Sequence, residues 1–238
     1  MVKQNTTIIY ENTVAGTFVR RMNRFTAEVL IDGAPQIVHV KNTGRLQELL
    51  MPEAKVTLQK TLNPNRKTAY DLISVYKPKL KWVNIDSLAP NALMKQLYMS
   101  LNYDLVKAEY TYGDSRIDFY MEKNGEKFLT EVKGCTLADD VHPGIGLFPD
   151  APTERGVKHL HELTKAAKEG CHTAIAFVIQ MNGIHRVLPN ETAQPEFKKA
   201  LVEAAKAGVQ IVCYSCHVEA DSIKITGVTE DTSSYVNM

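Results

Sequence analysis

The 238-residue sequence contains no apolar run near the ~20 residues that a membrane-spanning helix needs, and Met1–Gln4 does not open a secretory signal. We therefore expect a cytoplasmic protein that does not contact a membrane, with its four cysteines as reduced thiols. Internal repeats and low-complexity tracts are also missing, whereas 44% of the residues are hydrophobic. This composition predicts one or two globular domains with a buried core.

The cysteines are too poorly spaced for a structural zinc site. Cys213, Cys216 and His217 match the C-x-x-C-H pattern of haem attachment, but that chemistry belongs to exported proteins. A second metal-binding pair is missing, because Cys171-His172 has a poor spacing for zinc. We interpret Cys213 and Cys216 as buried or half-exposed residues of a strand.

The net charge of +1 conceals two blocks of opposite sign. Residues 1–81 contain 13 Lys and Arg against 6 Asp and Glu, whereas residues 82–238 contain 15 against 21. A basic block beside an acidic one suggests a polyanion-binding module joined to a domain that carries carboxylates for another reason. Chance unevenness explains the charges equally well.

Residues 1–81 predict a small β-barrel. Short candidate strands are separated by turn residues, a pattern typical of such barrels. We interpret Lys77–Lys81 as a linker. The candidate strands are Thr17–Ile31, Ile37–Lys41, Lys55–Lys60 and Thr68–Tyr76.

Residues 82–238 predict an α/β domain with a mixed central sheet. Strands and helices alternate towards the C-terminus, which implies right-handed crossovers and a sheet covered by helices. Thr153 is a candidate N-cap, and Gly170 is expected to end the helix that follows. The predicted helices are 90–100, 154–169 and 197–207, and the predicted strands are 105–112, 116–122, 127–134, 173–179 and 209–214.

A hairpin centred on Asn124-Gly125 carries the candidate active site. Asn-Gly between alternating runs favours a two-residue turn, which pairs Lys123 with Glu126. The same register places Asp118 opposite Glu131, with Cβ atoms about 5 Å apart. Two like charges that close are unfavourable unless something compensates for them, and a divalent cation would do so.

The two carboxylates of Asp118 and Glu131, with water and phosphate oxygens, suit Mg²⁺ or Mn²⁺. Lys133 would stabilise or deprotonate an attacking water beside a phosphodiester. Glu109 is a candidate third carboxylate. The alternative is a solvated sheet face with alternating charge, which residue types alone favour.

In the helix that opens at Thr153, Arg155 and His159 lie four residues apart on one face. A helix N-terminus with an arginine beside it is a ready phosphate site. Alternatively, Arg155 pairs with Asp150 or another carboxylate. We expect His159 to hydrogen-bond substrate or Glu131 rather than to bind a metal.

The barrel sequence offers a mixture of cations, amides and an aromatic ring typical of single-strand binding. We expect Phe25 to lie in the barrel core, and the alternative for the arginines is a solubilising surface. The candidate nucleic-acid contacts are Arg20, Arg21, Arg24, Lys41, Asn42 and Arg45.

Three segments and a short motif together resemble the sugar fermentation stimulation protein family (SfsA). They are Ser115–Phe119, Glu131–Lys133, Phe148–Leu163 and Asn42–Arg45. The resemblance implies a DNA-binding protein with an OB-like barrel followed by a domain like the PD-(D/E)XK restriction endonucleases. It also implies that Asp118, Glu131 and Lys133 occupy the nuclease motif, with Glu109 as an upstream acidic member. Ile117 stands where the motif's name has proline, which is not a ligand.

Three functions stay open. The first is a DNA-binding protein with a metal-dependent nuclease site. The second is a DNA-binding regulator of sugar (maltose) metabolism genes whose nuclease-like site is inactive. The third is an enzyme that acts on a small phosphorylated compound. The sequence does not choose between DNA and RNA, and it leaves a homodimer open.

Overall fold

A computed structural model describes residues 6–236 and 238 of the chain. None of the helices in that part is long and apolar enough to cross a lipid bilayer. The N-terminal elements are β1 Thr7–Ile9, β2 Thr13–Arg21, β3 Thr26–Ile31, β4 Ala34–Val40, β5 Lys55–Lys60, β6 Tyr70–Lys77 and β7 Lys81–Asn84. The C-terminal elements are α1 Ala89–Met99, β8 Leu105–Tyr112, β9 Ser115–Lys123, β10 Glu126–Cys135, β11 Leu137–Ala138, β12 Ile145–Phe148, α2 Glu154–Lys168, β13 His172–Ile179, β14 Arg186–Pro189, α3 Pro195–Lys206, β15 Gln210–Val218, β16 Ser222–Glu230 and α4 Ser233–Val236.

Strands β2 to β6 form the predicted OB barrel. They run in the order β4-β3-β2-β5-β6, and a parallel pairing of β4 with β6 closes the ring. Phe18, Val29 and Leu58 are buried inside it. Full closure leaves none of these five strands with a completely open edge.

Two local predictions for the barrel were wrong. The single segment Thr17–Ile31 is a hairpin, because the Oδ1 of Asn23 accepts the N–H groups of Phe25 and Thr26 and turns the chain. The expected linker Lys77–Lys81 is a tight turn between β6 and β7, which pair from Ser74 to Lys77. Its ends face each other across one rung of that pairing.

The C-terminal domain is built on a seven-stranded mixed sheet in the order β1-β16-β15-β13-β10-β9-β8. Strands β10, β13 and β15 are parallel, and the remaining pairings are antiparallel. Helix α1 packs on one face, while α2 packs on β9, β10 and β13 and against α3. Cys213 and Cys216 are buried in β15, as the sequence predicted.

The predicted hairpin register is confirmed from Lys123–Glu126 to Phe119–Thr130. Asn124 and Gly125 have φ values of 52° and 80°, as a two-residue turn of this type requires. The ladder ends at that last rung, so Asp118 and Glu131 do not form the next one. The strands separate where the candidate site begins.

Candidate functional site

Asp118 lies at the point where β9 and β10 separate. Its Oδ2 accepts the backbone N–H of Val132 at 2.8 Å, so the carboxylate replaces a main-chain acceptor. Its Oδ1 accepts a hydrogen bond from Nδ2 of Asn91 on α1, also at 2.8 Å. Each oxygen retains a free lone pair, and the two bonds fix the direction of the carboxylate.

Glu131 is 2% exposed and lies on the face of β10 that is covered by α2. Its Oε1 accepts from Nζ of Lys133 at 2.6 Å and also contacts Nδ1 of His159. Its Oε2 is buried and has no hydrogen-bond partner among the described residues. An unpaired buried carboxylate oxygen is costly, which marks this position as one that a ligand would satisfy.

The two carboxylates have opposite pKa shifts. Burial raises the pKa of Asp118, and the nearby charge of Glu131 raises it further. Burial also acts to raise the pKa of Glu131, but its hydrogen bond to His159 and the charge of Lys133 outweigh burial and lower it. Glu131 is therefore the carboxylate that is held ionised, whereas the ionised form of Asp118 is disfavoured.

His159 links Glu131 to the surface. It is 3% exposed, and its Nε2 accepts from Nε of Arg155 at 3.3 Å. Because a guanidinium only donates, the imidazole proton lies on Nδ1, the nitrogen that contacts Glu131. The prediction that His159 contacts Glu131 is confirmed, and the alternative pairing of Arg155 with Asp150 is not what the structure shows.

Glu109 does not join the cluster. Its side chain is 65% exposed, and Oε2 pairs with the guanidinium of Arg116 at 2.6 Å. Glu109 has a φ of 56°. Its ion pair with Arg116 lies on the exposed face of the β8–β9 pair. Among residues 6–236 and 238, no group of three or more His, Cys, Asp or Glu side chains is arranged to hold a metal ion.

Two carboxylates still fit a divalent cation of the Mg²⁺ type. Such ions are bound through one or two carboxylates and keep several waters, with substrate phosphate oxygens completing the shell. The unsatisfied Oε2 of Glu131 and the raised pKa of Asp118 are both features that a bound cation would relieve. The donor set is therefore compatible with Mg²⁺ or Mn²⁺.

Three of the barrel residues predicted to bind nucleic acid have partners within the protein. The Arg21 guanidinium donates to the main-chain carbonyls of residues 23, 24, 42, 44 and 45, at 2.6–3.2 Å. Nζ of Lys41 pairs with Oδ2 of Asp86 at 2.7 Å, across the boundary between barrel and sheet domain. The side chain of Asn42 accepts the N–H of Gly44 and shapes the same loop.

The other candidate cations of the barrel are exposed. Arg20 pairs with Glu28 at 2.7 Å, whereas Arg24 and Arg45 form no ion pair among the described residues. The prediction that Phe25 lies in the core was wrong, since it is 53% exposed. The turn made by Asn23 holds Phe25 outside the barrel, and Phe18 and Ala27 fill the core instead.

Two family profiles match this chain, one in each domain. A profile described as the sugar fermentation stimulation protein RE domain matches residues 85–222. One described as the SfsA N-terminal OB domain matches residues 19–85. The chain belongs to the sugar fermentation stimulation protein family.

Curated relatives of this family are similar over nearly their whole length. A sugar fermentation stimulation protein homolog of Ruminiclostridium cellulolyticum is 47% identical and covers 91% of this chain and 96% of its own. A homolog of Desulfitobacterium hafniense is 46% identical over 90% of this chain and 94% of its own. A solved structure, Pyrococcus furiosus SfsA in complex with Ca²⁺, has a TM-score of 0.82 and 26% identity, covering 93% of this chain and 96% of that one.

The structure brings the family's motif segments together through contacts that the sequence did not predict. Asp150 lies against Gly44, where a Cβ would come within 2.3 Å of its Oδ2, so any other residue there would displace the carboxylate. The Asp150 carboxylate also accepts the N–H of Arg45. A cavity of about 130 Å³ lies beside this contact, lined in part by Gly134 and Pro90. Asn91 was missed because only the fold places α1 against β9.

If Glu131 binds a divalent cation, replacing His159 by alanine is expected to weaken that binding most at low pH. The hydrogen bond to His159 keeps the pKa of Glu131 below its ordinary value, so this carboxylate stays ionised until the pH falls through that lowered pKa. Without the bond, Glu131 takes up a proton at higher pH and loses its affinity for cations there. The rise in Tm caused by Mg²⁺, measured from pH 4 to 8, should therefore disappear at a higher pH in H159A. The exposed neighbour His161 provides the control H161A; equal profiles for the two variants would contradict the role given to His159.

Proposed function

We propose that this protein is a divalent-cation-dependent phosphodiesterase that acts on nucleic acid, in the first instance DNA. The observation that carries the proposal is the buried, unpartnered Oε2 of Glu131, in a cluster that also contains Asp118 and Lys133. The OB barrel supports nucleic acid as the substrate, because that fold commonly binds oligonucleotides. The Ca²⁺ complex of the Pyrococcus furiosus relative supports a cation requirement.

Asp118 and Glu131 would hold the cation, with Mg²⁺ or Mn²⁺ as the working ions. When bound, such an ion stabilises charge on the phosphoryl oxygens and lowers the pKa of a coordinated water. Lys133 is close enough to Glu131 to orient that water or take its proton. Asn91 and the N–H of Val132 keep Asp118 directed into the gap between β9 and β10. Arg155, exposed at the first turn of α2, would hold a phosphate group.

Asp118→Asn is expected to abolish cutting and to make the metal-free protein more stable. Asparagine can accept from Val132 as aspartate does, and a half-turn of the Asn91 amide lets its oxygen accept from the new NH2 group. The substitution also removes the charge that burial and Glu131 disfavour. If about 1 kcal/mol of repulsion is relieved, Tm in EDTA rises by about 2–4 °C. The additional stabilisation by Mg²⁺ should vanish.

The test is cleavage of labelled single- and double-stranded DNA and RNA with Mg²⁺ or Mn²⁺, together with thermal unfolding with and without the ion. Surviving cleavage in D118N would show that the metal assignment is wrong. Retained stabilisation of D118N by Mg²⁺ would show the same without relying on activity.

A second candidate is a DNA-binding regulator whose nuclease-like site is inactive. One observation favours it: Lys133 and His159 both contact Oε1 of Glu131, so the protein itself already compensates part of the charge. No cleavage with any metal, combined with DNA binding that weakens steeply with salt, would support this candidate and exclude the nuclease.

A further inference from the structure

We infer that the turn between β2 and β3 binds single-stranded nucleic acid by stacking an unpaired base on Phe25. This inference rests on the proposed nucleic-acid function and specifies its substrate class. The turn comprises residues 22–25, which lie between the two strands. Two of its side chains are apolar and open to solvent, Met22 at 49% and Phe25 at 53%.

The ring is exposed on an ordered backbone. The N–H of Phe25 donates to Oδ1 of Asn23 at 2.8 Å, and its carbonyl accepts the N–H of Val40 at 2.8 Å. The carbonyl of Arg24 is held in turn by the Arg21 guanidinium at 2.8 Å. Since hydrogen bonds hold the main chain before and at Phe25, the point from which the ring projects is fixed before any ligand arrives. Preorganisation of this kind lowers the entropy lost on binding.

The surroundings of the ring are cationic. The guanidinium carbon of Arg24 lies 5.9 Å from the Phe25 ring centroid. Asn23 and Arg24 also line a concavity of about 410 Å³ that continues to Arg45, and none of the described residues that line it is acidic. Arg24 and Arg45 form no ion pair in the described structure, so their guanidinium groups can contact phosphates, although the charge of Arg45 also acts on the nearby carboxylate of Asp150. Charge complementarity therefore favours a polyanion that also has an apolar face.

An unpaired nucleotide strand has both properties. Its phosphates follow basic grooves, while the faces of its bases stack on aromatic rings. In a duplex the base faces are covered by their neighbours, so a duplex would meet this surface only through its phosphates. Phe25 should therefore contribute to the binding of single strands and not of duplexes, whereas Arg24 should contribute to both.

The test compares the affinities of four proteins for a labelled 20-nucleotide strand and for its duplex in EDTA, where no metal-dependent cutting takes place. Phe25→Ala should weaken single-strand binding by about tenfold, because stacking on an aromatic side chain contributes roughly that much per base. Duplex affinity should change by less than twofold. Phe25→Trp should keep the affinity of the natural protein for the single strand. Leu62→Ala, which removes an apolar side chain that is 84% exposed elsewhere on the barrel, should bind both ligands normally.

Salt dependence separates stacking from charge. Phe25→Ala should leave the slope of log K against log salt unchanged, whereas Arg24→Gln should reduce the magnitude of that slope by about one. An equal loss of affinity for strand and duplex in Phe25→Ala, no loss for either, or failure of Phe25→Trp to bind normally would overturn the inference. Because every measurement is made without a divalent cation, stacking on Phe25 can be established even if the cleavage assays fail. Normal cleavage with no role for Phe25 overturns only this inference.

Discussion

Lys133→Met should cut nucleic acid about 10²–10⁴-fold more slowly than the natural protein, while binding divalent cations at least as tightly. Nζ of Lys133 lies 2.6 Å from Oε1 of Glu131, and the side chain is only 15% exposed. In the proposed mechanism the ammonium group would both serve the reaction and compete with a cation for the charge of Glu131. Methionine retains much of the aliphatic bulk and removes both effects.

Two measurements separate these effects. Cleavage rates at saturating Mg²⁺ report on the reaction, and the rise in Tm caused by Mg²⁺ or Ca²⁺ reports on ion binding. In EDTA, K133M should unfold at a lower temperature, because the buried charge of Glu131 has lost one of its two partners. Added cation should then raise Tm by more than it does in the natural protein.

Lys127 provides a matched control on the same strand. It is exposed near the start of β10, about 20 Å from Lys133 at the ordinary rise of a strand. Lys127→Met should leave cleavage and cation binding unchanged. Undiminished cleavage in K133M would remove Lys133 from the reaction. Loss of cation binding in K133M would show that the lysine positions Glu131 instead of competing for it.

Predictions from local sequence were accurate where a few neighbouring residues decide the outcome. The Asn124-Gly125 turn set the hairpin register, and Thr153 caps α2 through its bond to the N–H of Gly156. The same register arithmetic failed at Asp118, because a side-chain carboxylate replaced a main-chain acceptor at Val132 and ended the ladder. Sequence spacing contains no information about such a substitution.

Long-range contacts decided the remaining outcomes. Glu109 has the residue type of a metal ligand, but its carboxylate forms an ion pair with Arg116 on β9. Phe25 has the residue type of a core position, yet the turn made by Asn23 places it outside. Asn91 and Asp150 acquire their roles only when α1 meets β9 and when the barrel loop meets the sheet domain. These contacts join residues far apart in sequence, so residue patterns alone did not predict them.

The two adjacent arginines of β2 show how differently the same residue type can act. The side chain of Arg20 is 67% exposed and bound to one carboxylate. All five N–H donors of Arg21 are directed at main-chain carbonyls, which belong to the turn that carries Phe25 and to the loop Asn42–Arg45. Arg21 therefore connects the two segments that form the basic concavity. The loop Asn42–Arg45 also contacts Asp150.

Arg21→Ala should destabilise the protein by about 3 kcal/mol, because hydrogen bonds to a charged group each contribute about 1.5–3 kcal/mol and water replaces only some of them. For a chain of this size that corresponds to a fall in Tm of roughly 6–12 °C, measurable by calorimetry. Arg20→Ala should change stability by no more than about 0.5–1 kcal/mol, since exposed ion pairs contribute little. Arg21→Lys should recover little of the loss, because an ammonium group cannot reach five carbonyls in a planar fan. A lysine variant as stable as the natural protein would show that charge alone, and not the guanidinium geometry, holds the loop.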